Sequence, residues 1–325
     1  MGFSIGKVFK PIEKEMKKYT EVDALCLPVP NYSPKGLWQN IKTARKVVKD
    51  KGYDIVHITG AEHYLIPFLK GQKVVITVHD LGFFTNHKRT LRAWMKYYGW
   101  IFTLKFADRI TFISEKSMKE AESLVKLKDE CLRVVHNAVS PDFTFSSRLL
   151  NLNSPVVLHI GTKSNKNLDN TILALKNSKC KLRIIGKLNE VQKTLLQLYN
   201  IDYSVAEHLT DNQIVEEYRN CDIVNFPSFY EGFGMPIIEG QAIGRPVLTS
   251  NLVPMNEIAG DAAILVNPAD VDSIRQGYEH ILQNWSSFVD RGLKNVQRFS
   301  VEKIAKEYYQ IYKELLNDET RVLAK

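Results

Sequence analysis

Apolar residues along this chain come in short continuous runs, separated by longer stretches in which they recur every three or four positions, a pattern of strands alternating with helices. Val22 to Leu27 reads as a strand, Gly36 to Lys51 as a helix, Asp54 to Ile58 as a strand, and Lys73 to His79 as a strand dense in β-branched residues. A helix over Arg89 to Phe106 follows, then a strand Arg109 to Ile113, a helix from Glu115 and a strand Leu132 to His136. This is the order of doubly wound α/β structure. The polar stretch Ser140 to Pro155 interrupts it and reads as a linker. Alternation restarts at Val156 to Ile160 and continues through Lys181 to Ile185, Asp222 to Phe226 and Pro246 to Thr249, with helices near Asn212 to Asn220 and Ala269 to Leu282. A last helix covers Val301 to Leu316. The expected division is two Rossmann-like domains, 1–145 and 155–300, followed by a terminal helical segment, 301–325.

The length of 325 residues suits two cores better than one. Four cysteines, Cys26, Cys131, Cys180 and Cys221, lack metal-ligand or C-x-x-C spacing and point to a reducing compartment. No N-terminal stretch has the apolar length of a signal peptide, and no run approaches a membrane span. The expected location is the cytoplasm, or the inner face of the cell membrane as a peripheral protein.

Charge is unevenly divided. Residues 1–150 hold 25 Lys and Arg against 15 Asp and Glu, a balance of +10, and the remainder holds 19 against 21, a balance of −2. Within the basic half, Leu81 to Ala107 carries Lys88, Arg89, Arg92, Lys96 and Lys105 among Phe83, Phe84, Trp94, Tyr97, Tyr98, Trp100, Phe102 and Phe106. Its aromatics fit the inner face of a core helix, while its cations suit an anionic membrane surface or a lipid-linked acceptor. No nucleic-acid motif accompanies the charge, so nucleic acid is not an expected partner.

The candidate chemistry is concentrated in Phe226-Pro-Ser-Phe-Tyr-Glu231-Gly-Phe-Gly-Met-Pro-Ile-Ile-Glu239, which continues as Gly-Gln-Ala-Ile-Gly-Arg-Pro-Val-Leu-Thr249. An apolar strand leads into a turn in which Gly232 and Gly234 allow positive φ and close ligand approach, and Pro236 suits the first position of a helix. Backbone N–H groups from Gly232 through Phe233 and Gly234 to Met235, together with the helix dipole, would face a diphosphate. Glu231 would lie beside a sugar, and Glu239, one helical turn on, could accept from ribose hydroxyls. Taken singly, either glutamate fits a structural role, and a lone Gly-x-Gly is weak.

The whole string resembles the Glu-x7-Glu signature of the retaining glycosyltransferases of family 4. The resemblance extends through Ser250-Asn-Leu-Val-Pro254, Glu257-Ile-Ala-Gly-Asp-Ala-Ala263 and Leu265-Val-Asn-Pro268, and more loosely over most of the chain. It implies the GT-B fold, two Rossmann-like doubly wound α/β domains facing a cleft, with the C-terminal helix crossing back to the first domain. GT-B first domains open with a strand into a glycine-rich loop. Here Met1-Gly-Phe-Ser-Ile-Gly6 starts at what resembles that loop and runs into a helix Lys7 to Tyr19, so the first strand is expected to be missing and Gly6 to lack the loop's usual role.

The resemblance also assigns roles. Gly161-Thr162-Lys163-Ser-Asn-Lys166-Asn-Leu matches the family's phosphate loop, with Lys166 as the phosphate lysine and Thr162 where many members have Arg, leaving Lys163 to compensate. His79, ending a strand in Thr77-Val-His79-Asp80, matches a histidine near the donor sugar, although His57 and His136 also end strands. The loop at His208, before the capping box Thr210 to Gln213, could line a base pocket. Asp270 and Asp272 fit a capped helix start better than a metal site, and neither metal nor resident cofactor is expected. The implied reaction is hexosyl transfer from a nucleoside diphosphate sugar to a hydroxyl of a carbohydrate or lipid-linked acceptor, with retention, in polysaccharide or glycolipid assembly. The alternatives are a GT-B nucleotide-sugar epimerase and a non-catalytic partner subunit.

Overall fold

The apolar runs form parallel strands in two separate sheets. The computed structural model describes residues 5–29, 33–69, 71–81 and 97–322. They divide into one unit of residues 1–138 with 301–325, and a second of residues 139–300.

In the first unit, β1 (Ile55–Ile58), β2 (Lys73–Val78), β3 (Arg109–Phe112) and β4 (Leu132–Val134) make a four-stranded parallel sheet in sequence order. One face packs on α2 (Pro34–Lys51), α3 (Glu115–Leu124) and the turns at 63–68 and 97–106, through Ile41, Ala44, Val48, Tyr64, Val74, Ile76, Phe112 and Ala121. α1 (Ile5–Met16) and the terminal helix α11 (Val301–Val322) pack on each other through Val8, Ile12, Ile304 and Tyr308. The hydroxyls of Tyr308 and Tyr312 reach the sheet, Tyr308 at Thr77 and Tyr312 at His57. Parallel strands covered on both faces are apolar throughout, and Thr77 and Thr111 are tolerated because they hydrogen-bond one another at 2.7 Å.

Two expected elements differ. Val22 to Leu27 is not a strand: most of it is exposed and it has no ladder partner among the described residues. Asn40 of α2 instead pins the chain just beyond it, donating to Val29 O and accepting from Val29 N. The helix expected over Arg89 to Phe106 lies outside the described residues up to 96. The remainder is a π-turn at Tyr97–Ile101 and a 3-10 helix at Phe102–Phe106, where the Thr103 hydroxyl donates back to the Gly99 and Trp100 carbonyls and competes with the α-helical ladder. Gly6 is a helical residue rather than part of a loop, and β1 is an edge of the sheet among the described residues.

The second unit holds β5 (Val156–Ile160), β6 (Lys181–Ile185), β7 (Tyr203–Ala206), β8 (Ile223–Phe226), β9 (Val247–Ser250) and β10 (Ile264–Val266) in the order β10-β9-β8-β5-β6-β7. The chain runs outward from β5 to β7, then returns to the other side of β5 and runs outward again from β8. This reversal creates a switch point between β5 and β8, the place where open α/β sheets present their ligand crevice. The connecting helices are α4 (Leu168–Ala174), α5 (Glu190–Leu198), α6 (Asp211–Arg219), α7 (Met235–Ile243), α8 (Met255–Ala259), α9 (Val271–Gln283) and α10 (Trp285–Asn295). Capping boxes at Asn189 with Gln192 and at Thr210 with Gln213 start α5 and α6, and Asp270 caps α9. The segment after residue 139 is tied to its unit by buried Asp222, which holds Arg148 at 2.5 Å and Val156 N at 2.8 Å.

Candidate functional site

The site forms where two loops leave the C-terminal ends of β5 and β8. Gly161 leaves β5 with φ +92°, a conformation that residues with a Cβ rarely adopt, and an added Cβ would meet the Lys166 side chain at 3.0 Å. The lysine stem therefore lies across the glycine. Lys166 ends the short turn Ser164–Lys166, and its Nζ reaches Glu231 Oε1 at 2.6 Å and lies 4.9 Å from the Phe226 ring centre. Both side chains are largely buried, at 23% and 15% exposure, so the pair is screened less than a surface ion pair.

Asparagines stitch the loops together. Asn165 donates to Tyr230 O and its own carbonyl accepts from Phe229 N, while Asn167, at φ 62°, donates to Pro227 O and Pro268 O. Sequence reading gave these asparagines no role, although the Lys-Asn-Leu triplet and the tolerance of asparagine for left-handed backbone were visible signals. Thr162 donates to Lys187 O at 2.6 Å, and Lys163 is exposed.

Gly234, at φ +116°, turns the β8 loop into α7, where an added Cβ would meet Ile237 Cδ1 at 3.0 Å. Met235 is the first helical residue, so Pro236 takes the second position rather than the first. Every residue from Pro236 to Ile243 is buried, as a helix apolar on all sides requires. Phe233 is buried edge-on against Phe299 at 5.9 Å, which leaves its backbone as the part able to meet a ligand.

Glu239 is wholly buried, one turn into α7. Its Oε2 accepts from the Tyr218 hydroxyl of α6 at 2.5 Å, and its Oε1 has no hydrogen-bond partner among the described residues. Burial pushes its carboxyl up to about 7, against the downward pull of Tyr218 and Lys166. The sequence offered no reason to single out Tyr218. Beneath the site, His159 of β5, Asn225 of β8, Thr171 of α4 and Tyr278 of α9 form a buried hydrogen-bonded cluster, and burial followed by the Lys166 charge pushes His159 down to about 3.

His79 lies in the first unit just past β2, its Nε2 2.9 Å from Thr59 O and its ring edge-on to Phe9. Burial lowers its pKa. His57 is committed to Tyr312 and Thr77, and His136 Nδ1 is 3.0 Å from Ile113 O. His208 is exposed at φ 56°. Of the basic aromatic segment, Tyr97 and Trp100 turn inward, bonding Leu124 O and Ala61 O. No helix among the described residues is long and apolar enough to cross a membrane.

Known proteins resemble the chain in sequence and in fold. Residues 142–298 match the model for glycosyl transferases group 1, and residues 10–143 match that for glycosyltransferase family 4. The chain is 41% identical over 112 residues to the O-antigen chain mannosyltransferase B of Escherichia coli, an alignment covering 33% of this chain and 29% of that one. The chain thus spans less than a third of that relative's length. Sucrose-phosphate synthase from Thermosynechococcus elongatus superposes with a TM-score of 0.73 at 19% identity, over 92% of this chain and 86% of that one. Anabaena Alr3699/HepE in complex with UDP and glucose superposes with a TM-score of 0.71 at 15% identity, over 86% and 82%. These likenesses show the two-domain GT-B fold, and two glycosyltransferase family models together match the chain from residue 10 to residue 298.

Proposed function

We propose that the chain transfers a hexosyl group from a nucleoside diphosphate sugar to an acceptor hydroxyl with retention of anomeric configuration, in the assembly of a polysaccharide or glycolipid. The observation that carries this reading is the Lys166–Glu231 pair, held on two glycine turns at the switch point of the second sheet. A diphosphate arriving there draws Lys166 toward its own charge, and Glu231 is released to accept from sugar hydroxyls. Gly161, Thr162 and Lys163, with the backbone of Gly232 through Phe233 and Gly234 to Met235, surround the diphosphate in this reading. Glu239 takes the ribose: its buried Oε1 lacks a partner, and a ligand hydroxyl would satisfy it. Because Glu239 is wholly buried, that contact requires α7 and its neighbours to yield on binding.

In the bond-making step the acceptor oxygen joins the anomeric carbon as the bond from that carbon to the β-phosphate oxygen breaks, and the acceptor proton passes to that phosphate oxygen on the same face. Glu231 and Lys166 position and neutralise, and no protein nucleophile is needed. His79 is the residue we assign from the first unit. The Escherichia coli relative is named a mannosyltransferase, which makes a mannosyl donor the first to try.

The test is a thermal-shift screen of nucleoside diphosphates and their sugars, followed by transfer assays on the stabilising donor. Glu231→Ala should lower turnover by on the order of a thousandfold while the nucleoside diphosphate still raises Tm. Full turnover in that variant would sink the assignment.

A further inference from the structure

The outer face of α2 carries a feature that the donor site does not use. Lys35, Trp38, Lys42, Arg45 and Lys49 are all exposed, and at 100° per residue they fall on one narrow stripe. Fourteen residue steps make the stripe about 21 Å long. Trp38 is 63% exposed, a large ring with no packing role commensurate with its size. No ion pair to any of the four cations is found among the described residues, and the helix's one acid, Asp50, lies off the stripe. The inner face is fully engaged: Ile41, Ala44 and Val48 are buried in the core, and Asn40 bonds Val29 and the Tyr64 hydroxyl. α2 is therefore held rigidly with its cationic side outward.

We propose that this face of α2 docks the first unit on an anionic lipid surface, with the helix lying in the interfacial plane. Charge complementarity identifies the occupant. Lys and Arg stems reach anionic headgroups while an indole settles at the boundary between headgroups and hydrocarbon, a division of labour suited to one aromatic among several cations. Single-stranded nucleic acid calls for a groove with several stacking rings, whereas this stripe is convex and has one. The chain's basic excess, +10 from 25 − 15 over residues 1–150 against −2 from 19 − 21 beyond, lies in the half that contains α2 and adds long-range attraction of the same sign. Docking through α2 does not depend on the donor chemistry. In the aromatic segment at 81–107, Tyr97 and Trp100 pack against the core while Tyr98 and Phe106 are exposed, so α2 adds a further cationic face to the same unit.

Full-length protein is sedimented with phosphatidylcholine vesicles, with and without phosphatidylglycerol, at low and high salt. The wild-type chain should bind the phosphatidylglycerol vesicles and lose binding as salt rises. The triple neutralisation Lys42→Gln, Arg45→Gln, Lys49→Gln should lower partitioning by on the order of a hundredfold, at about 1 kcal/mol or fivefold for each cation near an anionic surface. Trp38→Ala should lower it by roughly fivefold without changing the salt slope. All these positions are exposed, so both variants should keep the wild-type melting curve and nucleoside diphosphate thermal shift, which separates failure here from failure of the donor reading. Equal binding to both vesicle types, or unaltered binding by the triple variant, overturns the proposal. So does a wild-type chain that ignores vesicles but binds a single-stranded RNA oligomer through the same cations.

Discussion

The two units place polar groups at the C-terminal ends of their parallel strands in opposite ways. In the first, the sheet runs β1-β2-β3-β4 without reversal, and the polar residues on the face toward α11 are consumed internally: His57 by Tyr312 and Thr77, and Thr77 by Thr111 and Tyr308. Burial holds His57 as a neutral ring, pushed down to about 3. In the second, the strand order reverses between β5 and β8, and the loops that leave their ends carry a charged pair retaining 23% and 15% exposure. A strand-end histidine or lysine thus acquires its meaning from what covers it. Coverage by a helix makes it a structural hydrogen bond, and a switch point leaves it open to a ligand.

The largest effect that can break this contrast is on transfer. Lys166→Met should lower kcat/KM by roughly a hundredfold to a thousandfold, because it removes the charge facing the leaving diphosphate. His79→Ala, in the first unit, should cost about tenfold, the worth of one hydrogen bond, and leave the nucleoside diphosphate thermal shift unchanged. Equal losses in steady-state assays would show that the first unit contributes chemistry of the same weight.

Acid should separate the units next. His57 and His63 are pushed down by burial to about 3 and about 4 from 6.5, so the unfolded chain takes up these protons first. Their stabilisation is present above pH 6.5 and is lost as pH falls, at about 1.4 kcal/mol per pH unit for each ring. Smaller upward shifts of Glu62 and Glu307, caused by partial burial, offset part of this. In the second unit His159 acts in the same direction, but Glu239, pushed up to about 7 from 4.5, acts in the opposite one, its contribution present below pH 4.5 and lost as pH rises through 7. Between pH 4.5 and 6.5 those two nearly cancel. Hydrogen exchange, corrected for intrinsic rates, should therefore show protection falling first in β1 to β3 as pH drops from 6.5 to 5, and the reverse order would contradict the balance.

The smallest test compares two buried tyrosine hydroxyls. Tyr218→Phe leaves both oxygens of Glu239 without a protein partner and should cost about 2 kcal/mol, whereas Tyr312→Phe deprives only neutral His57 and should cost about 1 kcal/mol. Urea unfolding measures both. Equal costs would mean that Glu239 is protonated and that its burial is as well tolerated as that of a neutral ring.

Much of the second unit was legible because its caps are explicit and its strands are short apolar runs. Thr210 with Gln213, Asp270, and the strands at 156–160 and 181–185 all lie where local rules place them. The first unit resisted at two points. Val22 to Leu27 has strand composition, yet a strand exists only with a neighbour to bond, and the Asn40 side chain instead holds the chain just beyond it, at Val29. Tyr97 to Phe106 has helical spacing, but the Thr103 hydroxyl and the packing of its rings favour π and 3-10 turns.

The donor-site string behaves in the same divided way. Glycines at positive φ, a helix start after Gly234 and carboxylates eight positions apart are local, sequential facts, and the sequence by itself determined them along with the α/β class and the charge asymmetry. Tertiary structure alone decided that Lys166 meets Glu231 across 65 positions of chain, that Glu239 is sealed against Tyr218, and that Trp38 faces solvent while Trp100 faces the core. Spacing along a chain fixes which face of its own element a residue occupies. Only the order of strands in the sheet and the packing of helices upon it determine what that face meets.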